Sequence, residues 1–223
     1  EGLPIDEYCD AHRLSVTDRL ELFLRVCETV EHAHRHLVVH RDLKPGNILV
    51  DAEGRVRLLD FGIARVLDQV GPESRATLTG LSHPMTLAWA SPEQVRGDPI
   101  TTASDVYALG LLLFTLLTGS HPYRREFTSP ADAERVICGE EPAAPSARLA
   151  EEGLEGNVSS DLDAIVLMAL RKEPVRRYAS ATALAEDVGR YLEELPVRAK
   201  GDSFRYRASR FVRRNRKPRN PHR

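Results

Sequence analysis

Four histidines, His32, His34, His36 and His40, fall within nine positions of the stretch EHAHRHLVVHRDLKPGN (31–47). His32 and His36 stand four apart and would share one helix face, a spacing that can hold a metal ion. No third ligand of the right kind is placed beside them, so the histidines do not read as a metal centre. The residues after them are richer in charge. Asp42, Lys44 and Asn47 lie within six positions, and Asp60 follows thirteen residues after Asn47. Alone, an aspartate or asparagine in such a turn would cap the backbone. At this joint spacing a catalytic role outweighs capping.

These residues belong to an ordered set: HRDLKPGNILV (40–50), DFG (60–62), SPE (91–93) and SDVYALG (104–110). The set resembles the eukaryotic-like protein kinase family. The segments ASPEQVRGDPITTASDVYALG, LRKEPVRRYAS and YLEELPVRAK resemble its bacterial serine/threonine members of the multi-domain kind. The resemblance spans about residues 5–195, as the C-terminal lobe of that family. It implies transfer of the γ-phosphoryl group of ATP, with Mg²⁺, to serine or threonine hydroxyls of a protein substrate. That chemistry needs positioning and charge neutralisation more than covalent work.

The resemblance also implies roles. Asp42 accepts the proton of the attacking hydroxyl and orients it. Lys44 places a cation near the transferring group. Asn47 and Asp60 are the Mg²⁺ ligands, hard oxygens suited to an ion that takes few protein ligands and keeps waters. Ile48, Leu49 and Val50 form the floor under adenine or fill a strand core, and both readings can hold. His40 stacks under Phe61 of the 60–62 turn, which Gly62 completes. Arg41 receives a phosphate from the activation segment (60–93). Thr77, Thr79 and Ser82 are the candidate acceptors, against the plainer reading of ordinary loop hydroxyls. Thr86 hydrogen-bonds the catalytic aspartate and lysine. Glu93 pairs with Arg177 in a buried ion pair. Asp105 accepts hydrogen bonds from the catalytic-loop backbone, at a helix start where the dipole favours an acid.

The sequence departs from the family pattern at Ser91, usually alanine, at Trp89, where tyrosine is expected, and at Met85, where glycine is common. These departures bear on peptide preference more than on catalysis. The family also uses a small N-terminal lobe with a glycine-rich loop, a strand lysine and a helix glutamate. The 223 residues contain no GxGxxG, and none of the four lysines (Lys44, Lys172, Lys200, Lys217) precedes the catalytic loop. The opening EGLPIDEYC resembles the segment just past the hinge between the two lobes. Two accounts fit: a piece of a longer active kinase whose N-terminal lobe lies outside this sequence, or a truncated, non-catalytic interaction module. The intact Asp42, Lys44, Asn47 and Asp60 favour the first, with this chain alone nearly inactive.

The elements that must position these residues are mostly helical. Leu20, Phe23, Leu24, Cys27, Val30 and His34 recur at spacings of three and four, which predicts an amphipathic helix over 16–36 capped by Ser15 or Thr17. LVV (37–39), 47–51 and 55–62 read as short strands, with a turn at 51–54 where Gly54 suits a positive φ. A long loop is expected over 63–93. Helices follow over 103–118, about 130–138, 161–171 and 180–194, with a polar, proline-rich connection at 139–157. The fold class is therefore mainly α with a small β element, the large lobe of a protein kinase.

Hydrophobic residues make up 42% and charged residues 29%, ordinary for a globular protein. The run VYALGLLLFTLLTG (106–119) is shorter than the roughly 18–20 residues of a membrane span and reads as a buried helix. Cys9, Cys27 and Cys138 form no CxxC, which points away from a disulfide scaffold and towards a reducing cytoplasm. The cytoplasmic part of a membrane-anchored protein is the secondary alternative. The net charge of −2 is uneven: residues 198–223 hold eleven Lys/Arg against Asp202, about +10, which leaves −12 on residues 1–197. The first part reads as the lobe and the second as a basic tail or linker. That tail is a solvated or juxtamembrane segment, a contact for anionic lipid, or, least favoured, a nucleic-acid contact.

Overall fold

The computed structural model describes residues 2–60, 87–123, 127–153 and 158–201. The chain enters through a two-residue strand, β1 (Leu3–Pro4), and a short helix, α1 (Ile5–Ala11). It continues into the amphipathic helix α2 (Val16–Arg35). Ser15 and Asp18 start α2 as a reciprocal capping box: Asp18 N donates to the Ser15 hydroxyl, and Ser15 N donates to the Asp18 carboxylate. Leu20, Phe23, Val26, Cys27 and Val30 line its buried face.

The end of α2 corrects one expectation. LVV (37–39) is not a strand. Val38 N reaches back to Ala33 O and Leu37 N to His34 O, with Leu37 at φ 61°. This pair of bonds is a Schellman stop, which usually takes glycine at the left-handed position. Leu37 occupies it with a side chain that is 94% exposed, at a steric penalty of about 1–2 kcal/mol. A local run of apolar residues resembled a strand, but the unsatisfied carbonyls at the helix end claimed its amides.

A single-turn 3₁₀ helix (Pro45–Asn47) leads into β2 (Ile48–Val50), which pairs antiparallel with β3 (Val56–Leu58) and with β1. The register sets Ile48 opposite Leu58 and Val50 opposite Val56. Both strands are shorter than expected, and β1 is an addition. Gly54 closes the hairpin at φ 74°. Asp51 accepts from the amides of Glu53 and Arg55, and Arg25 of α2 donates to Gly54 O, which ties the hairpin to the helix.

The remaining helices are α3 (Pro92–Arg96), α4 (Thr102–Thr118), α5 (Pro130–Gly139), α6 (Pro145–Glu151), α7 (Ser160–Ala169) and α8 (Ala181–Leu192). The apolar run 106–119 became α4, which is buried along almost its whole length and packs against α2, α6, α7 and α8. Among the described residues no helix is long and apolar enough to cross a membrane. Gly110 lets α4 approach α7 closely, since a Cβ there would lie 2.9 Å from that of Ala169. The expected connection at 139–157 contains α6. Its composition hid it, because the carbonyls of His121 and Pro122 that accept from its buried Arg148 lie far off in sequence. The first residues of the basic segment also stay with the fold. Residues 198–200 form a 3₁₀ turn whose amides at Arg198 and Ala199 donate to the buried Asp187.

Candidate active site

Asp42 lies between the end of α2 and β2, in a loop held from below by α4. Asp105, in the first turn of α4 and buried, is the holder. Its Oδ2 accepts from His40 N (2.8 Å) and its Oδ1 from Arg41 N (2.9 Å). His34 of α2 donates from Nε2 to the same Oδ2 at 2.8 Å. One carboxylate thus joins two helices to two consecutive loop amides. Arg41 is forced to φ 68° and Asp60 to φ 50°. Two non-glycine residues in the left-handed region stand at the two loops that carry the candidate chemistry, where strain of this kind concentrates.

His40 is buried and joins the loops. Its Nε2 lies 2.9 Å from Leu59 O, so that nitrogen carries the proton. Nδ1 is then the acceptor, facing Asp42 N at 3.4 Å. Burial drives the His40 pKa below its ordinary value, against the opposing pull of Asp105, and so favours this neutral tautomer. Leu59 N in turn donates to Asn47 O at 2.8 Å. The residue immediately before Asp60 is therefore clamped on both sides to the 40–47 loop.

The Asp42 carboxylate is asymmetric in its surroundings. Oδ2 lies 2.9 Å from the Lys44 ammonium and accepts from Asn47 Nδ2 at 2.9 Å. Asn47 Nδ2 also donates to Asp42 O at 2.9 Å. Both donors of the Asn47 amide are committed to Asp42, and its carbonyl oxygen is the part that can serve a cation. Asp42 and Lys44 are partly exposed. Asp60 is exposed.

The strand alternation divides the three residues expected under adenine. Ile48 and Val50 are fully buried in the core, while Leu49 points to the opposite face and is half-buried. Leu49 alone remains a candidate for a nucleotide contact. Glu93 and Arg177 meet in a bidentate pair of 2.7 and 2.8 Å, both nearly inaccessible to solvent. Phe61, Gly62, Thr77, Thr79, Ser82 and Thr86 lie outside the described residues, as does most of the 60–93 segment.

His34 was expected to pack where the helix meets the catalytic loop, and it does so through Asp105. Two contributors went unnoticed in the sequence. Ser104 donates to Glu93 at 2.7 Å. Gln94 donates from Nε2 to Arg41 O at 2.7 Å. The Ser-x-x-Gln spacing from Ser91 to Gln94 was a readable capping signal, and the structure contains that box. Its reach to Arg41 had no local signal. Among the described residues no group of three metal-ligating side chains of His, Cys, Asp or Glu is assembled, and the rings of His32 and His36 lie 4.5 Å apart, tilted at 46°.

Comparison with known proteins agrees with this geometry. Residues 5–188 match the protein kinase domain family. Serine/threonine-protein kinase PknB of Mycobacterium tuberculosis is 39% identical over 171 residues, 77% of this chain and 26% of that protein. PknB of Mycobacterium leprae is 37% identical over 181 residues, 81% of this chain and 27% of that protein. A probable serine/threonine-protein kinase of Streptomyces coelicolor is 34% identical over 200 residues, 89% and 28% of the two chains. The chain spans about a quarter of the length of these relatives. The solved kinase domain of Mycobacterium tuberculosis PknI superposes with a TM-score of 0.60, over 86% of this chain and 62% of that one, at 22% identity, a likeness of fold.

Proposed function

The chain belongs to the protein kinase domain family, and we propose that it serves as the large lobe of a protein serine/threonine kinase, moving the γ-phosphoryl group of ATP to a protein hydroxyl. The observation that carries this reading is the one-sided engagement of Asp42. Lys44 and Asn47 hold Oδ2, which leaves Oδ1 to take the proton of an incoming serine or threonine hydroxyl. As that hydroxyl oxygen bonds to the γ-phosphorus, the bond to the β-phosphate bridging oxygen breaks, ADP leaves, and the proton rests on Asp42.

Lys44 sits 2.9 Å from the same carboxylate and is placed to balance charge on the group in transit. The donor set fits Mg²⁺: the Asn47 carbonyl oxygen and the Asp60 carboxylate are hard oxygens on two loops joined through Leu59. Mg²⁺ bound there would neutralise phosphate charge. Leu49 offers an apolar face to a nucleotide base. Arg41 remains the candidate receiver of an activating phosphate, and Thr86 the candidate partner of Asp42 and Lys44.

The test is transfer from radiolabelled ATP to a serine- and threonine-containing protein, with this chain alone and with it joined to a small lobe bearing a glycine-rich loop and strand lysine. The joined form should transfer and the chain alone should be nearly inactive. Asp42→Asn should lower the rate by about 10²–10⁴-fold. Equal transfer by Asp42→Asn, or none by the joined form, overturns the reading and leaves the interaction-module alternative.

The three cysteines are free thiols, which supports a cytoplasmic setting. The basic composition of 198–223 supports contact with an anionic surface, and a membrane is the one proposed. Co-sedimentation with phosphatidylserine vesicles that is lost as salt rises tests that contact.

A further inference from the structure

We propose that Gln94 is a positioning residue for Asp42, acting through the peptide unit between Arg41 and Asp42. The proposal rests on the reading of Asp42 as the proton acceptor. Gln94 works with both ends of its amide. Oε1 accepts from Ser91 N (2.9 Å) and from the Ser91 hydroxyl (3.1 Å), which fixes the side chain against the start of α3. Nε2 is thereby aimed at Arg41 O, 2.7 Å away. That carbonyl shares its peptide plane with Asp42 N–H, which faces His40 Nδ1 at 3.4 Å. On the other side of the same residue, Arg41 N is held by Asp105 at 2.9 Å.

Arg41 is thus gripped at its amide by α4 and at its carbonyl by α3. The grip is needed because its left-handed φ of 68° is a conformation a side-chain-bearing residue leaves when nothing restrains it. Relaxation there would rotate the peptide plane that carries Asp42. The anchor behind Gln94 is rigid as well. Its neighbour Glu93 is locked to Arg177. Ser91 fits the same device. A serine in place of the family's usual alanine adds a hydroxyl that caps α3 and braces the Gln94 oxygen.

One substitution separates clamping from helix capping. Gln94→Glu keeps an acceptor at Oε1, and Ser-x-x-Glu is as good a capping box, but a carboxylate cannot donate to Arg41 O. Arg41–Asp42 is the sole Arg-Asp dipeptide in the sequence. A sample carrying ¹³C-carbonyl arginine and ¹⁵N aspartate therefore gives a single carbonyl–amide cross-peak for this peptide unit.

In Gln94→Glu and in Gln94→Met that peak should move upfield in carbon, as a carbonyl losing a hydrogen bond does. Exchange of the Asp42 amide should rise several-fold in both. In Gln94→Glu the Val95 amide, bonded to Ser91 O within α3, should keep its protection. In the joined kinase form, Gln94→Glu should lower kcat on the order of 10–100-fold with KM for ATP unchanged. An unmoved cross-peak in either variant overturns the proposal. So does collapse of the whole spectrum in Gln94→Glu, which would make Gln94 a folding element. If the wild-type joined form transfers nothing, the kinase reading fails, and the cross-peak still decides the clamp.

Discussion

Arg177 and Glu93, 84 residues apart in sequence, close on each other through two parallel hydrogen bonds in the core of the protein. Ser104 adds a third bond to the carboxylate, and the backbone carbonyls of Ala103, Arg171 and Lys172 accept from the remaining guanidinium groups. The guanidinium also lies over the Tyr107 ring at 4.9 Å. Every charge taken from water has thus been given partners.

Breaking that pair from one side strands a buried charge. Arg177→Met alone should destabilise the fold by about 3–5 kcal/mol, and the double change Glu93→Met/Arg177→Met by less than the single one. Urea unfolding followed by circular dichroism checks this, and a double variant weaker than the single would sink it. Burial by itself would raise the Glu93 pKa, but Arg177 and Ser104 outweigh it and hold it below 4.5. Its contribution to stability is therefore full above that ordinary value. It should be lost as pH falls through the lower folded-state value.

Lys172 follows the opposite logic. It is buried, donating to Tyr123 OH and Ile137 O, and burial lowers its pKa from 10.5 to about 8. An unfolded chain takes up the proton more readily, so the group's stabilising contribution is present above 10.5 and lost as pH falls through about 8. The unfolding free energy of wild type minus that of Lys172→Met should therefore climb between pH 8 and 10.5, by on the order of 1–3 kcal/mol. A flat difference across that range would show that the lysine titrates normally.

His121 can be read optically. It is packed edge-on to Trp89, the single tryptophan of the chain, with ring centroids 5.3 Å apart. Burial pushes its pKa down to about 4. Fluorescence of Trp89 should stay constant from pH 8 to 5 and be quenched near 4, as the imidazole gains its proton. Because the folded-state value is depressed, the stability this group adds is full above 6.5 and drains away towards 4. A quenching midpoint near 6.5 would contradict this environment.

Gly110 sets the approach of α4 to α7. An added Cβ would meet Ala169 Cβ at 2.9 Å and Leu170 Cδ2 at 3.0 Å. Gly110→Ala should destabilise by about 1–3 kcal/mol through overpacking. Adding Ala169→Gly should recover part of that loss, since the two sites are in contact and couple. Thermal unfolding of the two single variants and the double variant provides the check, with strict additivity as the contrary result.

Much of the helical frame was legible because its signal is local. The spacing of Leu20, Phe23, Cys27 and Val30 announces α2, and an uninterrupted apolar run announces α4. The failures were also local in cause. LVV resembled a strand, yet Leu37 and Val38 were needed to close the end of α2. Helix α6 was hidden by Pro145 and Arg148, and an arginine reads as surface until its carbonyl partners are in view. Ile48, Leu49 and Val50 looked equivalent, and only the side on which the core lies separates them.

The sequence by itself determined which atoms are available for chemistry: an acid, a cation and an amide within one turn, and a second acid on the next loop. Such groups must share a short segment to act together, so their spacing is written along the chain. Only the tertiary structure showed how they are held: the family resemblance named Asp105 and the Glu93–Arg177 pair as expectations, while the reach of Gln94 to Arg41 had no sign along the chain. Asp105 reaches Arg41 across 64 residues, Gln94 reaches it across 53, and Arg177 reaches Glu93 across 84. Spacing along one chain specifies neighbours over a turn or two of helix. Contacts at these separations exist because helices pack against one another, and the packing of buried faces sets which distant groups are left to pair.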